Sequence, residues 1–185
     1  MTLIDKVIAA VTPPESDKAR VQARAEARSI APAGSWFDLI LNQHQEIEAG
    51  FAAVREATLP GARRLAQKQL AEILTGHSLA EEVVLYPALA LHDEKTASEM
   101  AYVEQSATKV QLAALDDLDP MSQDYLDKLE HIQGAVAHHM YQEEGTWFPK
   151  LQRKCDAELE IRLTQKYQEE FTRYVTGQVG EEALV

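Results

Sequence analysis

With 185 residues the chain is long enough for one domain with a full core, about 70% buried. A net charge of −12, from 30 acids against 18 bases, leaves no basic stripe for a phosphate backbone, so no nucleic-acid partner is expected. The single cysteine, Cys155, excludes an intramolecular disulfide and a cysteine zinc cluster and fits a reducing, cytoplasmic setting.

The chain opens with residues 2–11, where Ile4, Val7, Ile8 and Val11 share one side before Pro13–Pro14 interrupt. Asp5 and Lys6 break this run, which makes it a poor signal peptide. Residues 15–30 are polar and alanine-rich, and Ala33–Gly34 reads as a joint. Residues 1–33 thus form a helical arm expected to pack on the main domain or a symmetry mate, leaving a homodimer or another protein partner open. Its apolar face is short and its bases are balanced by acids, so a membrane anchor is not expected. Nowhere does the chain approach the roughly 18 apolar residues that a membrane span needs.

Four long helical segments follow. Helix A covers about 35–58 and stops before Pro60–Gly61; helix B covers about 62–86 and is bent or stopped by Pro87. Helix C covers about 93–117, and helix D covers about 121–148 and meets Pro149. A further helix, about 150–176, carries Leu151, Leu159, Leu163, Tyr167, Phe171 and Tyr174. Short connections make neighbours antiparallel. The expectation is an all-α, up-down-up-down four-helix bundle over 34–150, with an added N-terminal helix and a C-terminal helix over 151–185 packed on it.

The apolar stripes carry residues that do not belong in oil. Helix A reads Trp36/Phe37, Ile40, His44, Ile47, Phe51, Val54; helix B reads Leu70, Ile73/Leu74, His77, Glu81, Val84/Leu85. Helix D reads Tyr125, Leu129, Ile132, Val136, His139, Glu143, Trp147. Buried ionisable groups must be paired or coordinated. The pairs His77/Glu81 and His139/Glu143 sit in two gapless copies of H-x-x-x-E-E-x-x-x-[aromatic]-P, residues 77–87 and 139–149. At 1.5 Å per residue both pairs, and His44, lie roughly 12 Å from the same bundle end. Spacing, face and depth agree on one metal site.

Three imidazoles, two carboxylates and no thiolate suit iron, manganese or zinc rather than calcium or copper(I). Carboxylates on opposed helices can bridge two cations, which favours two irons over zinc or manganese. At these residues the sequence resembles the hemerythrin-like (HHE cation-binding) family, over about 35–150. The resemblance implies a bundle holding two non-haem iron ions in an Fe–O–Fe type centre, with His44, His77, Glu81, His139 and Glu143 as metal ligands and the two glutamates as bridges. It implies a function in binding or sensing dioxygen, nitric oxide or peroxide. The alternatives are an enzyme acting on peroxide or nitric oxide, or a stress-linked iron-handling or interaction module with a structural metal. Glu82 and Glu144, one residue on, read as supporting or surface groups.

The family pattern has a histidine in helix C, and this chain has none there. Depth points to residues 101–105. Glu104 lies at the edge of a stripe of Met100, Val103, Ala107 and Val110, with Tyr102 and Gln105 nearer the opposite face. Glu104, Tyr102, Gln105 or water therefore stay open as the helix C ligand. His92, His131 and His138 fall off the stripes and read as structural.

Overall fold

The computed structural model describes residues 15–175, so the amphipathic segment 2–11 with Pro13–Pro14, and the stretch 176–185, lie outside the described residues. Among the described residues every regular element is helical. In chain order these are α1 (Asp17–Ile30), α2 (Trp36–Glu56), α3 (Pro60–Ala80), α4 (Tyr86–Leu91), α5 (Lys95–Ala113), α6 (Gln123–Gln142), α7 (Phe148–Gln152) and α8 (Ala157–Val175).

Local chemistry sets the starts. Ser16, Ser35 and Ser122 cap α1, α2 and α6 through their hydroxyls, which accept from the backbone N–H of Ala19, Asp38 and Tyr125. Gly34 turns the chain into α2 at φ +75°, a left-handed conformation that glycine adopts freely. Pro60 occupies the first turn of α3, where its missing N–H has no helical partner to lose.

Pro87, where a bend or a stop is expected, does not stop its helix, and neither does Pro149. A π-turn, Glu81–Leu85, joins α3 to α4, and a second, Glu143–Trp147, joins α6 to α7. In each turn the closing N–H, of Tyr86 and of Phe148, reaches back to the glutamate carbonyl five residues earlier. The wider turn takes up the proline that an α-turn would clash with. Residues 148–152 accordingly extend helix D, and the C-terminal helix begins at Ala157.

Helices α2, α3, α5 and α6 form the four-helix bundle, with α8 laid over α2, α3 and the first π-turn. Helix α1 rests against α2, α6 and the second π-turn, burying only Ala23 and Ala27. The core has two apolar clusters. One gathers Trp36, Phe37, Ile40, Ala80, Trp147, Phe148 and Tyr167; the other gathers Ile47, Phe51, Leu70, Leu74, Leu129, Val136 and Met140. Along α2, His44 falls between Ile40 and Ile47; along α3 and its π-turn, His77 and Glu81 fall between Leu74 and Leu85. A polar layer therefore crosses the bundle between two oily ones.

The stripe read for helix C is reversed. Met100, Val103 and Val110 are exposed, while Ala97, Ala101, Gln105, Thr108 and Leu112 face inward. The inner face of α5 is thus built mainly of small and polar residues rather than aliphatic ones.

Candidate metal centre

His44, His77, Glu81 and Glu143 each bring one ligand-type atom to within 4.8 Å of the others, and all four are buried. His44 Nε2 stands 3.3 Å from Glu143 Oε2, and His77 Nε2 stands 3.3 Å from Glu81 Oε2. The side-chain atoms His44 Nε2, Glu81 Oε1 and Glu143 Oε2 are buried with no hydrogen-bond partner. An unpaired buried polar atom is costly, and three in one layer, all of metal-ligating type, are what a cation would satisfy. The donor set fits a borderline metal such as iron, manganese or zinc.

The outer nitrogens of the rings are all occupied. His44 Nδ1 donates to Glu144 Oε1 at 2.8 Å, and His139 Nδ1 to Glu104 Oε2 at 2.8 Å. His77 Nδ1 lies 3.0 Å from Gln43 Oε1, which also accepts from the Tyr167 hydroxyl at 2.5 Å. Each acceptor fixes the tautomer and turns the lone pair of Nε2 toward the layer, the arrangement that supports a metal-bound imidazole. Arg24 of α1 steadies the first of them, donating through Nε to Glu144 Oε1 at 2.9 Å while its fork holds Glu48 at 2.7 and 2.9 Å.

Charge in the layer is uneven. Burial alone would lower the His44 imidazole, but the neighbouring carboxylates of Glu143 and Glu144 raise it to about 9. Burial and the neighbouring His44 charge hold His77 well below its usual range. Burial pushes Glu81 up, and the Glu143 charge pushes it further. Burial would raise Glu143 too, yet His139 and His44 hold it below the usual carboxylate range. Without a cation, the layer favours a charged Glu143 and a protonated His44 and disfavours an ionised Glu81.

His139 stands outside the group of four. Its Nε2 lies 3.2 Å from Glu143 Oε1 and 3.1 Å from the Tyr86 hydroxyl. Tyr86 is also 3.0 Å from Glu143 Oε1 and 3.2 Å from Glu81 Oε2. On α5, Gln105 reaches the layer, its Nε2 donating to Glu81 Oε2 at 2.6 Å and to the Tyr86 hydroxyl at 2.5 Å. Glu104 instead takes the outer nitrogen of His139, and Tyr102 donates to the Glu82 carbonyl. The two second glutamates part ways: Glu144 is buried beside His44, whereas Glu82 pairs with Lys109 near the surface. His138 pairs with Glu15, and neither His92 nor His131 joins the group.

Tyr86, Gln43, Tyr167 and Arg24 were not singled out from sequence as site residues. Only Tyr86 had a signal: it is the aromatic of the first repeat, with a hydroxyl where the second repeat has Phe148.

Among proteins of known sequence, the chain is 26% identical over 121 residues to a "DNA nickase" of Nostoc sp. (strain PCC 7120 / SAG 25.82 / UTEX 2576). That match covers 65% of this chain and 34% of the relative, so the chain spans about a third of that protein's length. No solved structure matches. Among the described residues, no helix is long and apolar enough to cross a membrane. The model of the hemerythrin HHE cation binding domain matches residues 37–151, over the bundle that carries the histidine–glutamate layer, and the chain belongs to that family.

Proposed function

We propose that this chain is a cytoplasmic non-haem iron protein that binds or senses dioxygen, nitric oxide or peroxide, without acting on nucleic acid or membranes. The carrying observation is the trio of buried, unpartnered atoms, His44 Nε2, Glu81 Oε1 and Glu143 Oε2, in a layer sealed by apolar clusters on both sides. Family membership supports a cation there. Bound iron would supply redox chemistry and an electrophilic position for a small ligand.

The residues around it do the rest. His44, His77, Glu81 and Glu143 would hold the first ion; with two ions, Glu81 and Glu143 would be shared between them and His139 would serve the second. Glu144, Gln43 and Glu104 orient the three rings. The Tyr86 hydroxyl, itself wholly buried, holds a proton within 3.0 Å of Glu143 Oε1.

That buried proton favours one second reading, in which the centre turns over peroxide or nitric oxide rather than holding it. The name of the Nostoc relative belongs to a protein three times the matched length, and the −12 charge supports leaving nicking out of the proposal.

Anaerobic loading with Fe(II) followed by air, nitric oxide or peroxide is the test. The expected result is at least one iron per chain and new visible charge-transfer bands that the Glu143→Ala protein lacks. A chain that retains no iron, or bands indifferent to that substitution, defeats the proposal. Steady consumption of peroxide or nitric oxide that collapses in Tyr86→Phe would select the enzymatic reading.

A further inference from the structure

Resting on the reading of a metal centre, we infer that the layer contains two unequal cation positions, the second of which is closed by Tyr86 and Gln105. The first position is the group His44, His77, Glu81 and Glu143, with three unpartnered atoms. A second set of ligand-type atoms lies beside it: His139 Nε2, Glu143 Oε1 and Glu81 Oε2. These three surround a single oxygen, the Tyr86 hydroxyl, at 3.1, 3.0 and 3.2 Å.

Each carboxylate is therefore split. Glu143 leaves Oε2 without a hydrogen bond toward His44 and gives Oε1 to Tyr86; Glu81 leaves Oε1 without one, while its Oε2, 3.3 Å from His77 Nε2, meets Tyr86 and Gln105. The bare oxygens invite a cation, and the others already meet protein donors. Gln105 reinforces the closure from α5. Its Nε2 reaches both Glu81 Oε2 and the phenol oxygen, leaving its own Oε1 buried and unpaired. A donor pair thus fills the space that an extra helix C ligand would otherwise serve.

An ion entering the second position must displace at least two of these hydrogen bonds, each worth about tenfold in an equilibrium. The two positions should then differ in affinity by about 100-fold. Ring orientation is not the source of the asymmetry, since His139 Nδ1 meets Glu104 at the same 2.8 Å as His44 Nδ1 meets Glu144.

Titrating the metal-free full chain with Co(II), followed by its visible d–d bands and by equilibrium dialysis, tests this. The wild type should bind one ion tightly and a second about 100-fold more weakly, with distinct spectra for the two steps. Tyr86→Phe removes the hydroxyl, and Gln105→Glu replaces a donor with a ligand; in either variant the gap should shrink to about tenfold or less. Thermal melts of the metal-free variants identify any that fail to fold, and one folded variant suffices. Two ions of equal affinity in the wild type would overturn the inference and leave the metal-centre reading standing. Loss of all binding would overturn both. An unchanged gap in the folded variants would remove Tyr86 and Gln105 from the explanation.

Discussion

The two glutamates that follow Glu81 and Glu143 have identical sequence positions and opposite fates. Glu144 is 1% exposed and shared between His44 Nδ1 and Arg24, whereas Glu82 keeps 18% of its side chain exposed and faces Lys109. An acceptor on the outer ring nitrogen raises the basicity of the inner one and fixes the ring. Glu144→Gln should accordingly weaken metal affinity by about 10–100-fold, while Glu82→Gln should change it little. Competition against a coloured chelator reads both. The same ring makes uptake pH-dependent. In the metal-free chain burial would lower His44, but the neighbouring carboxylates of Glu143 and Glu144 raise it to about 9, so at pH 7 it carries a proton that a cation must expel. Affinity should therefore rise with pH from 7 until it levels off near 9. Calorimetric titrations at pH 7 in two buffers of different ionisation enthalpy should show proton release, and equal heats in both would refute it.

At the scale of elements, the link between arm and centre is one guanidinium. Arg24 carries three charge-assisted hydrogen bonds from α1, one to buried Glu144 and two to Glu48 on α2. Arg24→Ala would leave the Glu144 carboxylate with His44 alone. Because the arginine side chain is partly exposed (19%), water softens the loss, to about 1–3 kcal/mol of unfolding free energy. Arg24→Lys should recover less than half, since a point ammonium cannot serve two carboxylates as a fork does. Denaturant midpoints with unchanged slopes would measure it.

Elements also show where sequence was transparent. The stripes of α2, α3 and α6 were legible because an α-helix keeps residues i and i+4 on one face, and every residue of the α2 and α6 stripes is buried. The π-turns were not, because Pro87 and Pro149 are equally good signals for a stop. Helix C misled for a different reason. Its aliphatic residues Val103 and Val110 face outward, and its inner face is Ala97, Ala101 and Gln105, chosen for closeness and hydrogen bonding rather than apolarity. Arg24 and Tyr167 lie outside the repeated motif, 53 residues before His77 in one case and on the last helix in the other, so no periodicity could tie them to it.

For the molecule as a whole, the polar layer is a stability problem set inside a sound scaffold. Apolar clusters hold the bundle on both sides of it, so removal of the metal should leave the helices formed. It should also leave several buried polar atoms without hydrogen bonds and the carboxyl of Glu81 forced toward its neutral form by burial and by the Glu143 charge. Binding to the folded state alone stabilises by about 4 kcal/mol when free metal exceeds its dissociation constant a thousandfold. For a chain of this size, each kcal/mol moves the thermal midpoint by roughly 2–4 °C, so chelation should lower it by roughly 8–16 °C with little change in helical circular dichroism before the transition. The His44→Leu/His77→Leu double variant should lose most of the chelator-dependent shift, because the first position has lost both its imidazoles. If the wild type is indifferent to chelator, the hydrogen bonds donated by Tyr86 and Gln105 and accepted by Glu144 satisfy the layer by themselves, and the buried charges need no cation to explain them.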